Sequence, residues 1–319
     1  MTIKNTQTNL HKIDCKSAFG FDCNFEVQGF KTPTNKVPAL DHNYLFDQKT
    51  TQAILAGFAF NQRVLVQGMH GTGKSTHIEQ IGARLNWPCL RVNFDSQITR
   101  LDLIGKDVIK LKNDKQITEF KEGIIPYALR HGIALILDEY DAIKTDVSFV
   151  IQRLLEEDGK FALLEENEII EPHPHFRLFA TSNTLGAGDD LGIYHGTNLI
   201  NQAQMDRWNI VASLNYLSPE QEFNILQKKL KFSKKLINTQ QHNELLKSMI
   251  RLANLTREAF KNQDITNLIS LRTLISWGRN IEIFQSVKES FILSFYNKII
   301  DEEKIVINEL YQRIFGEDL

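Results

Sequence analysis

The sequence predicts an α/β fold: a parallel sheet with helices on both faces, followed by a small all-helical domain. Three observations predict it. A glycine-rich turn joins a short apolar strand to a helix at 63–85. A continuously apolar strand at 133–137 ends in two acids. Strand-like patterning stops after Leu217, and a change of period of that kind marks a change of architecture.

Residues 1–40 are polar, with Pro33 and Pro38 breaking regular structure, and read as an N-terminal arm or small accessory element. Its apolar side chains, Phe19, Phe21, Phe25, Val27 and Phe30, are expected to dock on a neighbour. Strand and helix alternate through 41–216. Strands are expected at 63–67, 89–94, 133–137, 177–181 and 209–214, and a helix at 75–85. The 133–137 segment is apolar at every position, as a strand covered on both faces must be. Strands separated by helices pair in parallel. Two hairpins interrupt the plan, 107–111 with 116–120 and 160–164 with 168–171, each around a polar turn. Ser218-Pro219 then supplies an N-cap and a first-turn proline, opening a helical domain over 217–319.

Hydrophobic residues make up 42% of the chain and charged residues 24%, the balance of a globular protein with a sizeable core. No apolar run approaches the ~20 residues that cross a bilayer, so no membrane is expected. A net charge of −2 gives no electrostatic case for nucleic acid. The lysines at 228, 229, 231, 234 and 235 read as a solvated helix face. The polar first ten residues lack a secretory apolar region. Three cysteines without CxxC spacing (Cys15, Cys23, Cys89) fit free thiols in a reducing cytoplasm.

The chemistry concentrates in a few motifs. Gly68-Met69-His70-Gly71-Thr72-Gly73-Lys74-Ser75 fits G-x-x-x-x-G-K-[ST] between a strand and a helix. Glycines let backbone amides turn onto phosphate oxygens, and the helix N-terminus adds positive potential. Gly68, Gly71, Thr72, Gly73, Lys74, Ser75 and Thr76 are therefore assigned to ATP, with Lys74 on the β- and γ-phosphates and the Ser75 hydroxyl on Mg²⁺. Asp138 and Glu139 end the apolar strand. Asp138 is the second magnesium residue, and Glu139 orients the attacking water, because phosphoryl transfer depends on positioning and charge neutralisation. Asn183 follows the next strand and is placed to hold that water or the γ-phosphate. Arg207 precedes the fifth strand and is placed to reach a neighbouring subunit's γ-phosphate. Arg272 begins a helix of the second domain, where it would contact phosphate. His173-Pro174-His175 reads as a hairpin exit rather than a metal clamp, since no third ligand is near in sequence.

Together these elements resemble the MoxR-type branch of the AAA+ ATPases, and within it the cobaltochelatase ATPase-subunit family, CobS. The resemblance rests on Gly71-Thr72-Gly73-Lys74-Ser75-Thr76-His77-Ile78-Glu79-Gln80, Asp138-Glu139-Tyr140-Asp141-Ala142 and Phe149-Val150-Ile151-Gln152-Arg153. Most distinctive are Tyr194-His195-Gly196-Thr197 and Ile200-Asn201-Gln202-Ala203-Gln204-Met205-Asp206-Arg207-Trp208. The resemblance implies an AAA+ P-loop core with a helical lid and a ring, usually of six subunits. It also implies a CobT-like partner with a metal-binding adhesion-type domain and a CobN-like large subunit that inserts cobalt into hydrogenobyrinic acid a,c-diamide. It implies that Asn183 is sensor 1, Arg207 the arginine finger and Arg272 sensor 2. The lid departs from the family pattern in reading Ser270-Leu271-Arg272 where proline is usual, which removes a fixed φ at the helix start. A MoxR-type chaperone maturing another metalloprotein is the alternative the same motor would serve.

Overall fold

The computed structural model describes residues 9–94, 97–112, 114–183, 202–230 and 239–319. The chain divides into two units, Met1–Met69 with Gly73–Leu214 and His70–Thr72 with Asn215–Leu319.

The first unit opens with β1 (Leu10–Lys12), α1 (Cys15–Phe19) and β2 (Gln28–Phe30), the two strands pairing antiparallel. Next come α2 (Gln48–Phe60), β3 (Val64–Gln67), α3 (Lys74–Arg84), β4 (Cys89–Asn93) and α4 (Arg100–Ile104). The hairpin β5 (Gly105–Lys112) and β6 (Lys115–Glu122) leads to α5 (Ile124–His131), β7 (Ala134–Asp138) and α6 (Thr145–Leu155). A second hairpin, β8 (Phe161–Leu163) and β9 (Glu168–Ile170), precedes β10 (Arg177–Ser182), α7 (Gln202–Met205) and β11 (Ile210–Ser213). The five expected sheet strands and both hairpins form. The first hairpin is longer than the alternation suggested, eight residues on each side.

The central sheet runs β11-β3-β10-β7-β4, every pair parallel. Alternate residues feed two cores. Leu65, Leu135, Leu137, Leu178 and Ala180 face one, and Val64, Val66, Ala134, Ile136 and Phe179 the other. That period of two leaves β7 and β10 buried along their whole length. In the register, Asn93 lies opposite Asp138, Ala180 opposite Leu137 and Ser182 opposite Gln67. The C-terminal ends of β3, β10, β7 and β4 therefore share one edge, where ligands of open α/β sheets bind.

The arm corrects one expectation. Phe19 and Val27 are buried in this chain's own second core, with Phe21, Phe25 and Phe30 packed around it. The reason is local. The β1–β2 pair turns these side chains inward, and the Phe30 amide donates to the Leu85 carbonyl at the end of α3 (2.8 Å). The Phe30 ring also meets Trp87.

The same core contains His77 of α3, buried beside the Tyr44 and Phe46 rings. Its Nδ1 shares a hydrogen bond with the Tyr44 hydroxyl (3.1 Å) and its Nε2 one with the Thr51 hydroxyl (2.9 Å). Burial pushes its pKa down to about 4. Since this lies below the unfolded value of about 6.5, the imidazole is neutral in the fold, and protonation favours the unfolded chain. Stability is therefore present above about pH 6.5 and lost as pH falls toward 4, by roughly 2 kcal/mol at pH 5. Denaturant unfolding of the wild type and His77→Gln across that range should show a flatter profile in the variant.

The second unit contains α8 (Pro219–Lys229), α9 (Thr239–Lys261), α10 (Leu271–Phe284), α11 (Val287–Ser294) and α12 (Asp301–Phe315), with no strand among its described residues. Ser218 caps α8 in a reciprocal box with Gln221, and Ser270 caps α10. Trp277, Phe291 and Tyr311 pack in the core with their rings tilted against one another. A buried ion pair joins Arg257 to Glu222 at 2.8 Å. Lys228 and Lys229 end α8 on its exposed side, and the lysines at 231, 234 and 235 lie outside the described residues.

Candidate functional site

The glycine-rich loop leaves β3 and enters α3 through Gly73, whose φ of 90° is left-handed, a region L side chains rarely adopt. Lys74 is the first helical residue. The amides of this first turn have no partner within the helix and point out of its N-terminus. Lys74 is buried, and its ammonium donates to the Gly68 carbonyl (2.7 Å), the Met69 carbonyl (3.0 Å) and Asn183 Oδ1 (2.8 Å). Burial pulls its pKa down to about 8. All three acceptors are neutral, so the cradle presents a desolvated cation, and a polyphosphate fits it.

Asp138 ends β7 beside this loop and is 4% exposed. Its Oδ1 accepts from the Ser75 and Thr181 hydroxyls. Its Oδ2 accepts from Arg91 of β4, through Nε at 2.8 Å and through Nη2. Burial alone would raise the carboxyl pKa, but the two hydroxyl bonds and the arginine outweigh it and hold it below the ordinary value. The site thus offers a carboxylate and a serine hydroxyl, hard oxygen donors of the kind Mg²⁺ takes beside a phosphate.

Glu139 adopts φ 57°, ψ 46°, a left-handed conformation that costs a non-glycine residue of order 1 kcal/mol or more. Its amide donates to the Thr181 hydroxyl (3.2 Å). One threonine therefore positions both acids. The Glu139 side chain is exposed. Its pKa is raised, first by desolvation and then by the charges of Asp138 and Asp141. The Asn183 amide donates to Asp141 Oδ2 (2.9 Å), and its side chain takes the Lys74 proton bond. Lys74, Ser75, Asp138, Glu139 and Asn183 are thus brought to one edge of the sheet. Arg91, Thr181 and Asp141 join them, and nothing in the local sequence singled these out.

Thr76 is exposed on α3, while Gly71 and Thr72 group with the helical unit. Arg207 pairs with Glu156 (2.8 Å) and bonds the Ala203 carbonyl, rather than its neighbour Asp206. Arg272 is exposed in the first turn of α10. The distinctive Tyr194–Asn201 stretch falls outside the described residues. Among those described, no three His, Cys, Asp or Glu gather to hold a metal. His173 Nδ1 instead accepts the His175 amide (3.1 Å) at the hairpin exit.

The aerobic cobaltochelatase subunit CobS of a Sinorhizobium species is 51% identical over 307 residues, covering 96% of this chain and 91% of that protein. The chain belongs to the CobS family. This family sits in the MoxR-type branch of the AAA+ ATPases, and three family models agree. Cobaltochelatase CobS subunit N terminal matches 11–37, AAA domain (dynein-related subfamily) matches 63–193, and CbbQ/NirQ/NorQ C-terminal matches 237–313. The first of these spans the β1–α1–β2 element, so the arm is part of the CobS pattern. Protein CbbQ of Hydrogenophilus thermoluteolus is 28% identical over 128 residues, 40% of this chain and 46% of that one. Among solved structures, the Thermotoga maritima RuvB Holliday junction branch migration motor aligns with TM-score 0.46 and 12% identity, over 81% of this chain and 72% of that one.

Proposed function

We propose that this chain is the ATP-hydrolysing motor subunit of an aerobic cobaltochelatase, driving cobalt insertion into hydrogenobyrinic acid a,c-diamide in cobalamin synthesis. The near full-length identity to a CobS subunit carries the reading, and the site geometry agrees with it. Cobalt is cargo here. The resident cofactors are Mg²⁺ and ATP, with Lys74 and the Gly68–Thr76 loop on phosphate, Ser75 and Asp138 toward the metal, and Glu139 and Asn183 toward the water. Bound Mg²⁺ would supply neutralisation of phosphate charge; the protein's own part is to hold and orient. The motor core is assigned to 41–216, the arm to 1–40 and the lid, with Arg272, to 217–319. The assembly is a cytoplasmic ring, taken as a hexamer, working with CobT-like and CobN-like partners. None of the described helices is long and apolar enough to cross a membrane. Reconstitution with both partners should give ATP-dependent cobalt insertion. ATPase activity without insertion would leave the motor and remove the chelatase, in favour of a MoxR-type chaperone.

Arg207 is the residue offered to the neighbouring subunit. Its pair with Glu156 is partly solvated, the side chains being 29% and 39% exposed, and such pairs contribute about 1 kcal/mol or less. Release toward a phosphate is therefore cheap. Arg207→Ala should bind ATP within about twofold of wild type yet lose roughly 10³-fold in turnover by assembled rings. Unchanged steady-state phosphate release from those rings would remove the finger assignment.

A further inference from the structure

The Asp138 carboxylate is claimed by a protein cation. Asn93 of β4 lies opposite Asp138 of β7. Arg91, two positions earlier, stands on the same face and reaches the carboxylate with two of its nitrogens. The third faces Glu79 of α3, with Nη1 3.6 Å from Glu79 Oε2. The guanidinium thus lies between two carboxylates, one buried at 5% side-chain exposure and one at 28%. It is itself 37% exposed, so it has room to turn. A divalent cation and a guanidinium cannot both neutralise Asp138 at close range without repelling each other.

We propose that Arg91 is a positioning residue for the magnesium site: it holds the Asp138 carboxylate until Mg²⁺ arrives, then yields it and transfers its charge to Glu79. The inference rests on the Mg-ATP reading of this site. Arg91 keeps the buried acid aimed at Ser75, and it sets how much Mg²⁺ is needed to displace it. Glu79 is the partner that makes displacement easy, because the guanidinium needs only to rotate toward an acceptor already beside it.

The test is a Mg²⁺ titration of the full chain holding a fluorescent, non-hydrolysed ATP analogue, read by fluorescence and independently by the thermal midpoint. Arg91→Met keeps the stem and removes the competing charge, so half-saturating Mg²⁺ should fall roughly tenfold. Arg91→Lys, which keeps the charge, should stay nearer to wild type. Glu79→Gln removes the alternative partner, so half-saturation should rise severalfold. In the Arg91→Met background Glu79→Gln should add little, since its effect passes through the arginine. An unchanged or raised requirement in Arg91→Met overturns the proposal, as does an equal Glu79→Gln effect in both backgrounds. Should Arg91→Met fail to fold, the sign of the Glu79→Gln shift decides. A wild type with no Mg²⁺-dependent nucleotide binding would remove the Mg-ATP reading itself, whereas wild-type binding matched by all variants removes only this role for Arg91.

Discussion

Glu139→Gln is expected to bind ATP with near wild-type affinity and to hold it unhydrolysed, with turnover down roughly 10³-fold. The side chain is exposed and carries no ion pair among the described residues, so exchanging it for an amide of the same shape removes little packing. On the proposed mechanism, what it removes is a base. Desolvation first, and then the charges of Asp138 and Asp141, raise the carboxyl above its ordinary value, which would make Glu139 a better proton acceptor than a solvated glutamate. Its strained backbone, fixed through Thr181, sets where that acceptor points. Turnover in the wild type should therefore fall on the acid side at a pH above the usual carboxylate titration, as Glu139 takes up a proton. The glutamine variant should lack that limb. Single-turnover phosphate release together with nucleotide retention on rings measures both. Rapid hydrolysis by Glu139→Gln would move the water-orienting role to another residue, with Asp141, which accepts the Asn183 amide, the next acid to test.

The difference between what was legible in the sequence and what was not follows from range. Gly73, Lys74 and Ser75 are joined by one turn of backbone, and a motif of eight residues contains all the geometry needed to recognise it. Ile133 to Leu137 announces a strand covered on both faces because every side chain must enter a core. Arg91 and Thr181 gave no such signal. Each is one polar residue in a strand, and each matters because β4 and β10 flank β7 at a register the chain specifies only when folded. A charge in a strand reads as solvent-facing until its neighbour across the ladder is known to end in a buried acid. The arm shows the same limit in reverse. Phe19 and Val27 looked like a docking surface for another molecule, and the surface they cover is their own chain's second core. The resting partner of Arg207 was not legible either, since Glu156 lies 51 residues away.

Lys74→Ala should separate function from stability with opposite signs. The ammonium is desolvated, and its depressed pKa of about 8 means that the folded chain binds this proton less tightly than the unfolded chain does. Below the unfolded lysine value the charged group thus works against folding, by an amount on the order of a few kcal/mol at neutral pH. Its bonds to the Gly68 and Met69 carbonyls and to Asn183 offset part of that cost. Truncation removes the charge and those bonds together, so the ligand-free thermal midpoint should hold or rise. Nucleotide binding should respond the other way. Two charge-assisted bonds to phosphate contribute about 3–5 kcal/mol, so affinity should fall roughly 10²- to 10³-fold. At a nucleotide concentration about a hundred times the wild-type Kd, the wild type gains about 2.7 kcal/mol of stability from the ligand, while the variant should gain less than about 1 kcal/mol. Paired thermal melts with and without Mg-ATP analogue read both effects in one experiment. A variant destabilised without ligand yet still shifted fully by nucleotide would make Lys74 a structural residue, and the phosphate would have to be held by the backbone amides of α3 alone.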